Sequence, residues 1–265
     1  MIMEYSTIII KKQSSVATIM FNRPEVLNAF DHVMGQEIGS AVAEIRDDPE
    51  VRCVILTGSG RAFCAGGDIK GMLSRFSSAS PDERRTRLKN THRWLTELIN
   101  LNKPVIASVK GYAVGAGMSL AMASDIIIAE ENARFAQSFV GIGLAPDLAG
   151  SYLLPRLVGL NKAKELTFTG EVLDAHTAQR LGIVNQVVTE EELEPATWKL
   201  ALRIAQGPTK AMGFAKAMLN KSFEADLVSF LDIEASYQAF CGVTEDFKEG
   251  VQAFIEKRKP VFKGR

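Results

Sequence analysis

Short apolar runs alternate with amphipathic helical patterns along the first half of the chain. Residues 7–10 and 16–21 are apolar and predict a β-hairpin across the polar stretch 11–15. Residues 51–57 predict a buried strand that ends at a glycine-rich turn. Between the hairpin and this strand, Asp31 is placed to cap a helix. The apolar stripe of that helix consists of Met34, Ile38, Ala41 and Ile45.

A second helix and two more strands follow. Ser80 and Glu83 form a capping box, with Pro81 at the first helical position. The apolar positions of this helix are Leu88, Leu95, Leu98 and Leu101. Residues 105–109 and 126–129 predict the strands. The recurrence of strands and helices predicts an α/β core.

From about residue 190 the pattern is helical to the end of the chain. Pro208 begins one segment, and Gly242 separates the last two. So few helices cannot bury their own apolar faces, and we expect them to pack on the core or on another subunit. The prediction is an α/β core in residues 1–204 and a helical oligomerisation region in residues 205–265.

Composition and charge exclude several classes of protein. Lys plus Arg and Asp plus Glu each total 31 in 265 residues, and this balanced charge argues against a nucleic-acid partner. The basic run 84–87 is better explained as a solvated helix face. The three cysteines show neither metal-ligand nor disulfide spacing, which predicts a cytoplasmic protein without a metal site. No apolar run is long enough to span a bilayer and no secretory signal is visible, so no membrane partner is expected.

Two segments rich in small residues are the candidates for chemistry. Residues 61–70 follow a predicted strand and include adjacent glycines, so a ligand can approach the backbone and accept from its amides. Taken alone, this pattern is more typical of an ordinary glycine turn. Residues 111–121 run from a strand into a helix of small residues, whose first amides point at whatever lies before it. A close-packed buried helix explains the same pattern.

The order of several motifs resembles the enoyl-CoA hydratase/isomerase (crotonase) superfamily. Segments 61–70 and 111–121 look like the paired oxyanion-hole motifs of that family, and residues 22–30 resemble its N-terminal signature. Further matching segments are 141–144, 154–159, 166–171, 181–184 and 249–259. Each motif is weak evidence by itself, but the ordered set covers nearly the whole chain and is specific.

The resemblance implies a fold, an assembly and a substrate. The fold is a ββα spiral core with a C-terminal helical region that forms trimers or dimers of trimers, and the substrate is a coenzyme A thioester. In this family two backbone N–H groups bind the thioester oxygen, and by position they belong to Gly67 and Ala116. One such donor lowers the barrier by about 3 kcal/mol when charge develops on that oxygen. The coenzyme A positions correspond to Arg23, Ala29, Ala65, Gly66, Asp68, Ile69 and, from a neighbouring subunit, Phe262 and Lys263.

The hydratases of this family use two glutamates that this chain lacks. The matching positions hold Ser119 and Phe139, and neither side chain can act as a carboxylate acid or base. Asp147 is the remaining carboxylate in the segment, within a Gly-Leu-Ala-Pro-Asp sequence that resembles the ring-1,2-epoxyphenylacetyl-CoA isomerase branch. The alternative role for Asp147 is the N-cap of a helix that begins near Leu148.

These residues predict an acyl-CoA isomerase. Asp147 would move a proton between two carbons while Gly67 and Ala116 hold the enolate of a ring-derived or unsaturated acyl group. No cofactor is expected beyond the coenzyme A part of the substrate. The alternatives are a hydratase-like lyase, a dehalogenase-like hydrolase with Asp147 as nucleophile and His92 as base, and a degenerate scaffold that only binds acyl-CoA. His92 is more often a surface or packing residue, and Cys64 has no neighbour that would activate its thiol.

Overall fold

The structure, a computed structural model, describes residues 5–72 and 79–265 and arranges them around two β-sheets. Its strands are β1 (Ile8–Gln13), β2 (Val16–Phe21), β3 (Cys53–Gly58), β4 (Val105–Val109), β5 (Tyr112–Val114), β6 (Ile126–Glu130), β7 (Arg134–Ala136), β8 (Leu173–Asp174) and β9 (Gln186–Val188). The larger sheet has the order β1-β2-β3-β4-β6-β9 and the smaller one β5-β7-β8.

The α-helices are α1 (His32–Asp47), α2 (Pro81–Ile99), α3 (Ala116–Met122), α4 (Gly150–Val158), α5 (Leu160–Thr169), α6 (Ala175–Arg180), α7 (Glu190–Ala205), α8 (Thr209–Lys221), α9 (Leu227–Gly242) and α10 (Glu245–Ile255). Short 3-10 turns lie at Pro24–Val26 and Ser138–Ile142. This alternation confirms the predicted α/β core.

The large sheet begins with the predicted hairpin. Strands β1 and β2 pair antiparallel, and the remaining pairs of this sheet are parallel. The predicted connection of residues 11–15 is too long, because β1 continues to Gln13 and only Ser14 and Ser15 form the turn. Both serines have positive φ, 49° and 61°, as a type I′ turn requires, and this turn suits the twist of the two strands.

The first two helices begin as the sequence predicts. The Asp31 carboxylate accepts from the Met34 amide at 2.8 Å, and the predicted stripe of α1 is buried. Ser80 and Glu83 form both bonds of the capping box at the start of α2. Leu88 is the exception: it is 41% exposed, and Trp94, which is 8% exposed, packs into the core instead.

Apolar residues pack on both faces of the large sheet. One face, with α1, α2 and α3, forms the main core. The other face is covered by α7, which contributes Leu193, Ala201 and Ala205. The strand residues beneath that helix are Val16, Cys53, Ile55, Ile106 and Ile128.

The C-terminal helices pack only partly on their own chain. Lys216 on α8 is buried and pairs with Asp125 at 2.8 Å, which anchors that helix to the core. Helix α9 has no buried residue, although many of its side chains are apolar. The division between residues 204 and 205 stays a prediction, and it falls at the C-terminal end of α7. Among the described residues, no helix combines the length and apolar character needed to cross a membrane.

Candidate functional site

The two small-residue segments are locked together through their backbones. A Cβ at Gly117 would lie 2.0 Å from the carbonyl oxygen of Cys64, and one at Gly66 would lie 3.1 Å from that of Val114. Gly66 also has a φ of +110°, which disfavours other residues. The loop after β3 therefore lies against the start of α3, because glycine occupies both contact points.

The amides of Gly67 and Ala116 are free to bind a ligand. Phe30 pairs with both neighbours of Gly67, since its N–H donates to the Gly66 carbonyl at 2.7 Å and its carbonyl accepts from the Asp68 N–H at 2.9 Å. This parallel bridge turns the Gly67 N–H away from Phe30. Ala116 is the first residue of α3, where backbone amides have no intrahelical acceptor. In the turns, loops and caps of residues 5–72 and 79–265, no backbone carbonyl accepts a hydrogen bond from the Gly67 or Ala116 N–H.

Helix α3 has seven residues. A helix this short aligns few peptide groups, so its dipole adds little to the binding of a ligand. What the segment offers is the Ala116 amide itself. A main-chain donor does not depend on the side chain at its position, so alanine serves there as well as glycine.

Asp147 lies in a strained turn directly before α4, whose first residue, Gly150, lies against Ser119 of α3. Leu148 and Ala149 both have positive φ, 48° and 61°, which is unfavourable for residues with a Cβ. Helix α4 begins at Gly150, with Ala149 at its N-cap and no side-chain capping bond. The interpretation of Asp147 as a helix cap is therefore wrong.

The Asp147 carboxyl is mostly shielded from solvent. Burial raises its pKa from 3.8 to about 6, and a hydrogen bond from its own backbone offsets only part of this effect. Its Oδ1 atom is buried and has no hydrogen-bond partner within the described part of the chain. A carboxyl group in these surroundings can hold or release a proton near neutral pH.

Asp147 lines a cavity of about 980 Å³. Four helices form its walls, with His92 from α2, Met122 from α3, Tyr152 from α4 and Leu219 from α8 among the lining residues. The wall formed by α4 is tied to the C-terminal region, because the Tyr152 hydroxyl donates to Glu224. His92 is exposed and shares this cavity with Asp147, so the geometry leaves its predicted alternative roles open.

The positions of the two hydratase glutamates are buried and carry no carboxylate. Ser119 is fully buried on α3, and Phe139 is 6% exposed. Gln137 and Gly150 also belong to this neighbourhood, and sequence reasoning missed both. Gln137 donates from Nε2 to the Ser119 hydroxyl at 3.3 Å. The sequence signal that could have identified Gln137 is its place directly after the buried end of β7.

Six of the predicted coenzyme A positions lie in one cluster. The Arg23 guanidinium donates to the Ala29 carbonyl at 2.6 Å and to Asp68 at 3.1 Å. The Ala65 amide donates to the Leu27 carbonyl at 3.0 Å, which joins the loop of Ala65 and Gly66 to the N-terminal signature. Ile69 follows on the same loop and is 58% exposed. Arg23 also pairs with Asp31 at 3.0 Å, so two carboxylates neutralise it and it is a poor partner for phosphate.

Phe262 and Lys263 lie in the C-terminal region, among contacts of their own. The Phe262 carbonyl accepts from Arg52 at 3.1 Å, and the Lys263 amide donates to Asp246 at 2.6 Å. The Lys263 ammonium lies 3.3 Å from Glu245. Their contribution to a neighbouring subunit stays a prediction.

Cys64 is fully buried, and burial raises its pKa to about 11, so its thiol is not activated. In the described residues, no group of three or more His, Cys, Asp or Glu side chains is arranged to hold a metal ion.

Comparisons with known proteins agree with this geometry. The family model for enoyl-CoA hydratase/isomerase matches residues 11–265. A crotonyl-CoA hydratase from Syntrophomonas wolfei is 40% identical over 98% of this chain and 99% of its own. A 1,2-epoxyphenylacetyl-CoA isomerase from Escherichia coli is 37% identical over 96% and 97%. The crystal structure of an enoyl-CoA hydratase from Bacillus anthracis superposes with a TM-score of 0.91 at 32% identity, covering 98% of this chain and all of that one. The predicted crotonase-type spiral core with C-terminal helices is thereby confirmed, and the chain belongs to the enoyl-CoA hydratase/isomerase family.

Proposed function

We propose that the protein is an acyl-CoA isomerase in which Asp147 carries the proton. The observation that supports this most strongly is the Asp147 carboxyl, which is largely shielded from solvent and whose pKa is raised to about 6. It lies in the turn that leads into α4, while Ser119 and Phe139 occupy the positions of the hydratase glutamates. A single carboxyl group, together with two free amides, suits a reaction that returns the proton it removes.

The chemistry needs one base and a stabilised oxyanion. Asp147 would take a proton from a carbon next to the thioester carbonyl, and the electron pair would move onto the carbonyl oxygen. The amides of Gly67 and Ala116 would hold that negative oxygen. Protonated Asp147 would then deliver the proton to a carbon further along the acyl group, so that the double bond shifts without gain or loss of atoms. A pKa near the working pH favours both transfers.

The similarity to a crotonyl-CoA hydratase keeps hydration as the second candidate. Hydration requires one group to activate water and another to deliver the α-proton, and only Asp147 offers a carboxyl in the right segment. A dehalogenase-like hydrolase would use Asp147 as nucleophile and His92, which lines the same cavity, as base. A scaffold that only binds acyl-CoA would have no use for a carboxyl group whose Oδ1 atom is buried without a partner, which is costly to keep.

Substrate and assembly follow from the same proposal. The coenzyme A part would lie against the loop of Ala65 to Ile69. Arg23 is 17% exposed and held between two carboxylates, whereas Lys263 is 61% exposed. Lys263 of a neighbouring subunit would therefore supply charge to the phosphates in exchange for its exposed ion pair with Glu245. Residues 205–265 would form a homotrimer or a dimer of trimers through the exposed apolar side chains of α9 and α10. We further propose a cytoplasmic enzyme that needs no cofactor and binds neither nucleic acid nor membrane.

A screen over coenzyme A thioesters tests the proposal. The substrates are crotonyl-CoA, a 3-enoyl-CoA, a dienoyl-CoA and ring-1,2-epoxyphenylacetyl-CoA. We expect turnover of an isomerase substrate. Hydration of crotonyl-CoA should be about a hundredfold slower than this isomerisation, because one general acid or base usually contributes a factor of that size. Asp147→Asn should lose the activity on the best substrate. Asp174→Asn is the matched control, because Asp174 only caps α6 and asparagine caps equally well. Equal turnover by Asp147→Asn and the wild type would exclude the mechanism.

A further inference from the structure

A buried carboxylate holds residues 263–265 through their backbone. Asp246 on α10 is 5% exposed. One of its carboxylate oxygens accepts from the Lys263 amide at 2.6 Å, and the other accepts from the Gly264 amide at 2.8 Å. The Asp246 amide donates in turn to the Arg265 carbonyl at 3.2 Å. Three consecutive residues are therefore fixed to the first turn of one helix.

A guanidinium group holds the same segment from the side of the core. Arg52 directly precedes β3, and it donates to the Phe262 carbonyl at 3.1 Å and to the Thr209 hydroxyl at 2.9 Å. Its third bond goes to the Gly207 carbonyl. Gly264 has a φ of +80°, and a Cβ there would lie 2.9 Å from Arg52 Nε. Glycine therefore allows the segment to pass this close to the guanidinium.

The fixed backbone determines where the Lys263 side chain begins. Residues 259–265 have no regular secondary structure, so ordering them costs conformational entropy that helix or strand bonds do not offset. Hydrogen bonds to charged groups, which are stronger than those between neutral groups, hold them instead. The Lys263 side chain leaves this backbone 61% exposed, 3.3 Å from the equally exposed Glu245. An ion pair so exposed to solvent contributes little, and another anion can replace Glu245.

We propose that Asp246 and Arg52 are positioning residues that direct the Lys263 ammonium at the phosphates of a coenzyme A thioester bound to a neighbouring subunit. This inference rests on the proposed function, in which Lys263 supplies charge to those phosphates, and it adds the residues that set the position of that charge. Lysine carries its charge on a long, flexible stem. Because the backbone is already held, only this stem has to be ordered when the ligand binds, which favours binding.

Asp246→Asn is the smallest change that tests the proposal. Asparagine has nearly the same volume, but an NH₂ group replaces one acceptor oxygen and faces a backbone N–H, so one of the two bonds is lost. Arg52→Lys is the second variant, since an ammonium does not reproduce the fork of a guanidinium. Asp226→Asn is the matched control. Asp226 also accepts from two backbone amides, but at the N-cap of α9, where asparagine caps equally well.

The measurement is the binding of two thioesters by calorimetry. Butyryl-CoA carries the phosphates, whereas butyryl-pantetheine has the same acyl and thioester groups without the nucleotide or any phosphate. We expect Asp246→Asn and Arg52→Lys to bind butyryl-CoA about tenfold more weakly than the wild type, the ratio that one charge-assisted hydrogen bond supplies. Both variants should bind butyryl-pantetheine as tightly as the wild type does. Binding requires no turnover, so the activity of Asp147→Asn tests the proposed catalysis separately.

A further variant, Lys263→Ala, shows whether Asp246 acts through Lys263. If it does, Lys263→Ala weakens the binding of butyryl-CoA at least as much as Asp246→Asn, and combining the two substitutions causes no additional loss. Light scattering measures the mass of each variant, because separated subunits would lose the contact for another reason.

The outcomes separate a positioning role from a purely structural one. Weaker binding of butyryl-CoA alone, in both variants but neither in Asp226→Asn nor on top of Lys263→Ala, supports the proposal. Equal weakening of both ligands, an additional loss in the double variant, a lower mass, or unchanged binding of butyryl-CoA overturns it. If Lys263→Ala binds butyryl-CoA like the wild type, the phosphate contact itself is wrong. Asp147 is then still the catalytic base if Asp147→Asn abolishes isomerisation.

Discussion

Replacing Asp147 by asparagine should stabilise the fold while removing the activity. The charged carboxylate is disfavoured by burial, which raises its pKa from 3.8 to about 6 in the folded chain. A rise in pKa of this size lowers the free energy of unfolding by ~3 kcal/mol at neutral pH. Asparagine has nearly the same volume and carries no charge, so it avoids this cost. We expect Asp147→Asn to gain on the order of 2 kcal/mol at pH 7, or roughly 5 °C in Tm.

The sign of the pH dependence follows from the raised pKa. Below about pH 4, Asp147 is protonated in both the folded and the unfolded chain, so its burial carries no electrostatic cost. Between pH 4 and about 6, Asp147 is ionised in the unfolded chain but still largely protonated in the folded one. The wild type therefore loses stability as the pH rises through this range. Above about pH 6 both states are ionised and the loss is complete. The stability advantage of Asp147→Asn should therefore be absent near pH 4, grow up to about pH 6 and then stay constant.

The assay is thermal or urea unfolding of both proteins at several pH values from 4 to 8. All other titrating groups are shared, so the difference between the two curves isolates Asp147. On the best substrate, kcat/KM of the wild type should fall on the acid side with a midpoint near pH 6, because the base must be ionised to accept a proton. An Asp147→Asn protein that is less stable than the wild type at pH 7, or a stability difference independent of pH, would refute this reasoning.

Two further predictions concern the backbone contact and the C-terminal surface. Gly117→Ala should lower the Tm by several degrees and reduce kcat by about a hundredfold, because its Cβ would meet the Cys64 carbonyl. Gly141→Ala, with nothing within 4 Å of its Cβ, should leave both unchanged. Phe254→Asp, at a side chain that is 86% exposed, should reduce the assembly size measured by light scattering, whereas Leu88→Asp on α2 should not. An unchanged Tm in Gly117→Ala, or an unchanged mass in Phe254→Asp, would contradict the respective prediction.

The strands and helices of the core were predictable because local signals and the apolar pattern agree. Asp31 and Ser80 begin helices through their own side chains, and the stripe of α1 has the helical period. Leu88 was wrongly predicted to be buried. It lies in the N-terminal half of α2, which faces solvent, and the sequence does not show how far along the helix the core extends. The tight turn at Ser14 and Ser15 was missed because it lacks the glycine or asparagine that usually marks positive φ.

The candidate site was predictable only in part. Family position identified Asp147, but no sequence pattern shows that its carboxyl is buried or that the helix after it starts at Gly150. Gln137 was missed because its importance comes from a contact with Ser119, eighteen positions away. The neutralisation of Arg23 by Asp31 and Asp68 likewise depends on three segments that meet only in the folded chain.

The arrangement of the large sheet has a consequence for how the chain folds. Only β1 and β2 are joined by a short turn, and each parallel neighbour must be brought together from a distant part of the sequence. Contacts of this kind form slowly, because the chain loses entropy before any strand pair compensates for it. Until α7 is in place, the sheet face that includes Val16, Ile55 and Ile106 has no cover. On a ribosome, that apolar face would stay open to other chains until residue 205 had emerged, which makes it the surface on which aggregation of nascent chains would begin.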